Sequence, residues 1–164
     1  MTTTPIPATA TAGSLTDKVV LVAGGGKNLG GLISRQVAAL GADVAIHYNS
    51  ETSRADSEQT LAAVEAAGRR GVLLSGDLTV PANVERLFAD AGAALGTVDV
   101  AVNTAGKVLR KPIVETTEAE YDAVFDINSK AAYFFIKEAG KHVADGGKII
   151  TIVTSLLAAF TDGY

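Results

Sequence analysis

The chain has no cysteine, which removes disulfides, a thiol nucleophile and any thiolate metal site. That leaves the redox compartment open and is compatible with the cytoplasm, the expected location. Two histidines, His47 and His142, are too few for a histidine metal cluster, and no metal site is expected. There is no run of Lys or Arg, and a formal net charge of −4 argues against a general nucleic-acid surface. The apolar runs are too short to span a bilayer, so no membrane partner is expected. Residues 1–13 are rich in Thr, Ala and Pro and lack the basic start and apolar segment of a signal peptide; they read as a flexible tail. What is present is ordinary for a globular protein. In 164 residues, 48% hydrophobic and 20% charged content suits one domain with a substantial core, over residues 14–164.

The rest of the chain is organised around residues 18–40. Residues 19–22 are an apolar, β-branched run without alternation, which suits a strand buried on both faces of a parallel sheet. From Leu29 onward, Leu29, Leu32, Ile33, Val37 and Leu40 fall at the spacing of one helix face. Between strand and helix stand Gly24, Gly25 and Gly26, and Gly30 and Gly31 open the helix, where each glycine costs about 1 kcal/mol relative to alanine. One explanation is an anion: a helix N-terminus offers unpaired N–H groups and partial positive charge, and residues without Cβ let a phosphate reach them. The other is that the glycines only permit a tight turn and close packing of helix on strand. A P-loop is excluded, because Lys27 is followed by Asn28 and Leu21 holds the position of its first glycine. The long-spaced Gly-x-Gly-x-x-Gly fingerprint is matched loosely, with Leu29 where its third glycine belongs.

Further along, the pattern repeats. Strands are expected at residues 43–47, 71–75, 98–102 and 149–153, and helices at about 52–67, from Pro81 to Leu95 with Thr79 as N-cap, and as one long helix over 118–143 capped by Thr117. Strands alternating with helices imply right-handed crossovers and a parallel sheet covered on both faces. The expected fold is α/β, a doubly wound Rossmann sheet in the order 3-2-1-4-5, with a crevice above strands one and four where the order reverses. Gly24 to Gly30, Asp77, residues 103–106 and Ser155 then lie on one rim. Taken singly, Asp77 could cap a helix, Asn103 close a turn and Ser155 be a loop serine.

The spacing Ala23-Gly24-x-x-x-Asn28-Leu29-Gly30 resembles the Thr-Gly-x-x-x-Gly-x-Gly turn of the short-chain dehydrogenase/reductase family. Ala23 replaces the threonine and Asn28 the middle glycine, and Asn is the residue other than glycine that best tolerates positive φ. Asp99 with Ala101-Val102-Asn103-Thr104-Ala105-Gly106 is similar to the family's Asp-x-x-Val-Asn-Asn-Ala-Gly stretch, Thr104 standing for the second asparagine. Asp77-Leu78 resembles its adenine-contacting pair, Asn128 its helix asparagine of the active site, and Ser155 the serine closing its fifth strand. The resemblance runs from Leu15 to the end. It implies cofactor contacts at Gly24, Lys27, Asn28, Leu29, Gly30, Asp77, Leu78, Asn103, Ala105 and Gly106, and catalytic roles for Asn128 and Ser155. Asn128 also falls at helical spacing from Val124, Ala131 and Phe135, which places it on an inward face where its amide needs partners.

A ribose 2′-OH is usually accepted by an acid at the end of strand two, whereas a 2′-phosphate wants cations and small donors. Here that position reads His47-Tyr48-Asn49-Ser50, with Lys27 in the glycine turn, which favours NADP(H) with Tyr48, Asn49 and Ser50 in its pocket; Glu51 would select NAD(H) if the register were one residue off. The family's catalytic Tyr-x-x-x-Lys pair is absent: Tyr164 is the last residue, nine positions after Ser155. The chain is therefore expected to lack the family's later strands and to be weak or inactive alone as an NAD(P)H-dependent oxidoreductase of small carbonyl or alcohol substrates. Residues 149–153 would form an apolar edge strand, and Phe125, Phe134 and Phe135 would be exposed, which points to a homo-oligomer. The alternative is a non-catalytic nucleotide-binding or interaction module. A serine hydrolase fails on its elbow, since no glycine flanks Thr154-Ser155-Leu156.

Overall fold

The structure, a computed structural model, describes residues 15–154. The tail at 1–13, Ser155 and Tyr164 lie outside the described residues. Strand β1 (Val19–Ala23) is buried along its whole length, as its unbroken apolar sequence requires of a central strand. It pairs in parallel with β2 (Asp43–Tyr48) on one side and β4 (Val98–Asn103) on the other; β3 (Gly71–Ser75) joins β2, and β5 (Val143–Thr151) joins β4. The order is β3-β2-β1-β4-β5, the one expected. Successive side chains of β1 serve opposite layers. Val19, Leu21 and Ala23 pack with α3 (Pro81–Leu95) and α5 (Ala131–His142), where Phe88 and Phe135 lie with ring centroids 5.1 Å apart. Val20 and Val22 pack with Val44, Ile46 and Val102 beneath α1 (Asn28–Ala39) and α2 (Arg54–Ala66). Full burial of each such large apolar side chain is worth about 1.5–3 kcal/mol.

The strand starts are fixed by two acids. Asp43 pairs with Arg69 and Arg70 at 2.8 and 2.7 Å, and Asp99 accepts from Lys18 at 2.8 Å and from the Val19 N–H at 2.9 Å. Burial by itself would raise both carboxyls, but the hydrogen bonds and positive charge from Arg70 and Arg69, and from Lys18 and Val19, hold them below the usual range. The opposite ends of the strands are left for the site.

Several elements depart from the sequence reading. The α1 face against the sheet is Gly30, Gly31, Ser34 and Ala38, while Leu29 and Leu32 stand about half exposed, because the helix approaches the glycine turn too closely for large side chains. Val80, and not Thr79, is the N-cap of α3; the Thr79 hydroxyl donates to Asp77 instead. The expected long helix is two helices, α4 (Glu118–Phe125) and α5, joined by a π turn over Asp126–Lys130. That turn inserts an extra residue and rotates the faces against each other. Asn128 therefore does not share an inward face with Phe135: Asn128 is exposed and Phe135 is fully buried, not exposed as expected, while Phe125 is half exposed. Strand β5 begins at Val143, well before residue 149, because a bulge near Gly146 (φ +76°) lets Val143 pair with Val98 ahead of the regular register. Its other end stops at Thr151, although the Ile152 N–H still donates to Asn103. As expected, β5 is an edge strand among the described residues, and Ile149, Ile150 and Ile152 remain partly exposed.

Candidate functional site

The chain leaves β1 at Ala23 and must reverse into α1 within four residues. Gly24 takes φ +72° and Asn28 φ +50°, so the asparagine adopts the left-handed geometry its side chain tolerates. A Cβ at Gly30 would collide with the Gly24 carbonyl, and one at Gly26 with the Ser57 hydroxyl of α2. Close packing is thus a sufficient reason for these two glycines. The anion reading rests instead on the N–H groups. Those of Gly24 and Gly25 are already bonded, to His47 Nδ1 and the Val22 carbonyl, and the first intrahelical bond of α1 comes from Gly31. Helix geometry leaves the N–H groups of Asn28, Leu29 and Gly30 without intrahelical partners, and among the described residues no side chain caps the helix.

These groups open onto a cleft of about 710 Å³ above the carboxyl ends of the strands, where the sheet order reverses between β1 and β4. Of the residues singled out by sequence, Gly24, Lys27, Asn28, Leu29, Gly30, Tyr48, Asn49, Asp77, Leu78, Ala105 and Gly106 line it. Asn103 lies beneath, 3% exposed, its side-chain oxygen accepting from the Ala105 N–H at 3.0 Å. Thr104 stands where the family has asparagine and clamps the two strand exits, its N–H and hydroxyl both donating to the Ala23 carbonyl at 3.0 and 2.8 Å. Asp77 shapes the β3 exit by accepting from the Thr79 N–H at 2.9 Å. The Lys27 ammonium is at the lip, 4.0 Å from Asp56. Ser50 does not line the cleft; its hydroxyl lies 2.8 Å from that of Thr52. Glu51 does not line it either and faces Arg54 at 3.6 Å.

Asn128 joins the site through the backbone. Its amide oxygen accepts from the Lys107 N–H at 2.9 Å and its amide nitrogen donates to the Lys107 carbonyl at 2.7 Å, which fixes the chain immediately after Gly106. Residues that the sequence reading passed over also line the cleft: His47, Ser53, Ser57, Lys107 and Ile127. For Ser53 and Ser57 one signal existed. Ser53, Ser57 and Thr60 repeat at helical spacing and form a face of small polar residues; Thr60 donates to the Gly26 carbonyl at 2.8 Å. The chemistry of this donor set suits a phosphate group: helical N–H groups in a glycine-lined concavity with a lysine at its edge.

Residues 24–163 match a family model described as enoyl-(acyl carrier protein) reductase. The chain belongs to the short-chain dehydrogenase/reductase family. It is 36% identical over 137 residues to a hydroxynaphthalene reductase-like protein Arp2 of Metarhizium robertsii, covering 84% of this chain and 51% of that one. Among solved structures, a dehydrogenase from Burkholderia cenocepacia with bound NADP is 58% identical with a TM-score of 0.89, covering 94% of this chain and 59% of that one. A blue fluorescent protein from a metagenomic library in complex with NADPH is 38% identical with a TM-score of 0.82, over 87% and 57% of the two chains. This short-chain dehydrogenase/reductase chain thus spans about half the length of the curated relatives it matches.

Proposed function

We propose that this chain forms the NADP(H)-binding part of an oxidoreductase acting on a small carbonyl or alcohol substrate. The observation that carries the reading is the uncapped first turn of α1, facing the cleft at the reversal of sheet order. There the N–H groups of Asn28, Leu29 and Gly30 receive the pyrophosphate. Lys27, Tyr48 and Asn49 surround the adenosine ribose and its 2′-phosphate; the absence of Glu51 from the cleft lining supports NADP(H) over NAD(H). Asp77 and Leu78 form the adenine wall, and Asn103, Ala105 and Gly106 hold the nicotinamide ribose side. When bound, the nicotinamide supplies or accepts the hydride. At the substrate end, Asn128 steadies a water for proton transfer and Ser155 holds the substrate oxygen, both by family resemblance. A cytoplasmic, homo-oligomeric protein belongs to the same reading.

The test is calorimetric titration of the chain with NADP⁺ and NAD⁺. Micromolar NADP⁺ binding with NAD⁺ at least about tenfold weaker, a difference of about 1.4 kcal/mol, is the expected result. Failure to bind either nucleotide would overturn the reading.

A further inference from the structure

His47 is the fifth residue of β2 and is 2% exposed, yet its ring also forms part of the cleft wall. Both of its nitrogens have partners, and the partners belong to different strand exits. Nδ1 accepts from the Gly24 N–H at 3.1 Å, at the start of the glycine turn; Nε2 lies 2.8 Å from the Gly76 carbonyl, just beyond β3. A carbonyl accepts and a backbone N–H donates, so this pair of contacts requires the neutral ring with its proton on Nε2. A second proton on Nδ1 would face the Gly24 N–H, donor against donor.

We infer that His47 is a positioning residue for the dinucleotide, a neutral imidazole that ties the glycine turn to the exit of β3 and so fixes the two walls between which the adenosine half is held. The inference rests on the dinucleotide reading above. The charges around the ring come from several elements. Asp77, after β3, favours the imidazolium, and Arg86 of α3 stands 3.3 Å from the place a Gly76 Cβ would occupy. Lys27 of the turn and Asp56 of α2 face each other, and Arg35 of α1 is turned to Thr60 at 3.1 Å. Burial prevails and pushes the His47 imidazole below its ordinary range, against the opposing effects of Gly76 and Asp77. At neutral pH the tie is therefore closed.

Three chains are compared: native, His47→Asn, whose side-chain oxygen can replace the Nδ1 acceptor, and His47→Phe, which fills the space and leaves the Gly24 N–H unpaired. In the free native chain, long-range ¹H–¹⁵N spectra at neutral pH are expected to show the Nε2–H tautomer. The opposite tautomer, or an imidazolium, would overturn the inference. By calorimetry at about pH 8, His47→Phe is expected to bind NADP⁺ about tenfold or more weakly, while His47→Asn stays within about threefold of native. The tautomer readout serves even where His47→Phe does not fold. A folded His47→Phe that binds like native would overturn the role of His47 and leave the dinucleotide reading standing. Absence of NADP⁺ and NAD⁺ binding to the native chain would overturn the dinucleotide reading and this role with it.

Discussion

A methyl group at Gly30 would run into the Gly24 carbonyl and stand 2.6 Å from Thr104 Oγ1, two atoms that the turn and the β4 exit hold in place. Backbone cannot move aside as a flexible side chain can. Gly30→Ala is expected to cost about 1–3 kcal/mol, as overpacking does, read as a lower midpoint in urea unfolding, with loss of NADP⁺ binding on the same sample. An unchanged midpoint would show that the turn can relax. His47 gives a residue-scale dependence on pH. Its folded pKa is lowered while the unfolded chain titrates near 6.5, so below that value the unfolded state binds more protons. Stability should be level above about pH 6.5 and decline as the pH falls toward the carboxylate range, and His47→Asn should flatten that decline. The lowered Asp43 and Asp99 act in the same direction, but only below their ordinary value of 3.8, which separates the two windows.

At the scale of elements, α4 begins with a complete capping box: the Thr117 hydroxyl accepts from the Glu120 N–H, and Glu120 accepts from the Thr117 N–H at 2.9 Å. The Thr117 N–H, Lys111 and the Thr117 hydroxyl together lower the Glu120 carboxyl to about 2. Its contribution is present above the ordinary value of 4.5 and is lost as pH falls through about 2. Thr117→Ala is expected to cost about 1 kcal/mol in chemical denaturation. This cap was legible in the sequence because its partners lie three residues apart. The break between α4 and α5 was not legible, since nothing local in Asp126-Ile127-Asn128-Ser129-Lys130 separates a π turn from an α turn. The partner of Asn128 is Lys107, across the longest loop, and no periodicity within the helix reports it. Asn128→Ala should remove both bonds, cost about 1–2 kcal/mol, and raise hydrogen exchange at Lys107 and its loop neighbours more than in α5. Equal exchange in the two chains would show that the loop holds its shape without Asn128.

On the scale of the molecule, β5 is paired on one side only among the described residues, and Ile149, Ile150 and Ile152 are 41%, 45% and 47% exposed. On α4 and α5, Phe125, Tyr133 and Ile136 add further exposed apolar surface. An edge of this kind is a template for another strand. The 164-residue chain is therefore expected to self-associate in light scattering, and Ile150→Lys to shift it toward the monomer. A native chain that stays monomeric at the highest concentrations measured would count against that. Among the described residues, no helix is long and apolar enough to cross a membrane.

The order of the sheet, the glycine turn and most residues of the cleft rim could be read from the sequence because each depends on local pattern: apolar runs set the strands, glycines and Asn28 set positive φ, and alternation of strand with helix sets handedness and order. Asp77, Leu78, Ala105 and Gly106 reached the rim for the same reason, as residues that follow strands. Tertiary structure decided what depends on partners distant in the chain. It turned Leu29 and Leu32 outward because the small face of α1 had to lie on the turn, buried Phe135 against Phe88, and gave Asn128 to Lys107. It also placed the His47 ring between Gly24 and Gly76, a juxtaposition set by the register of β2 between its neighbours, which no stretch of sequence around His47 contains.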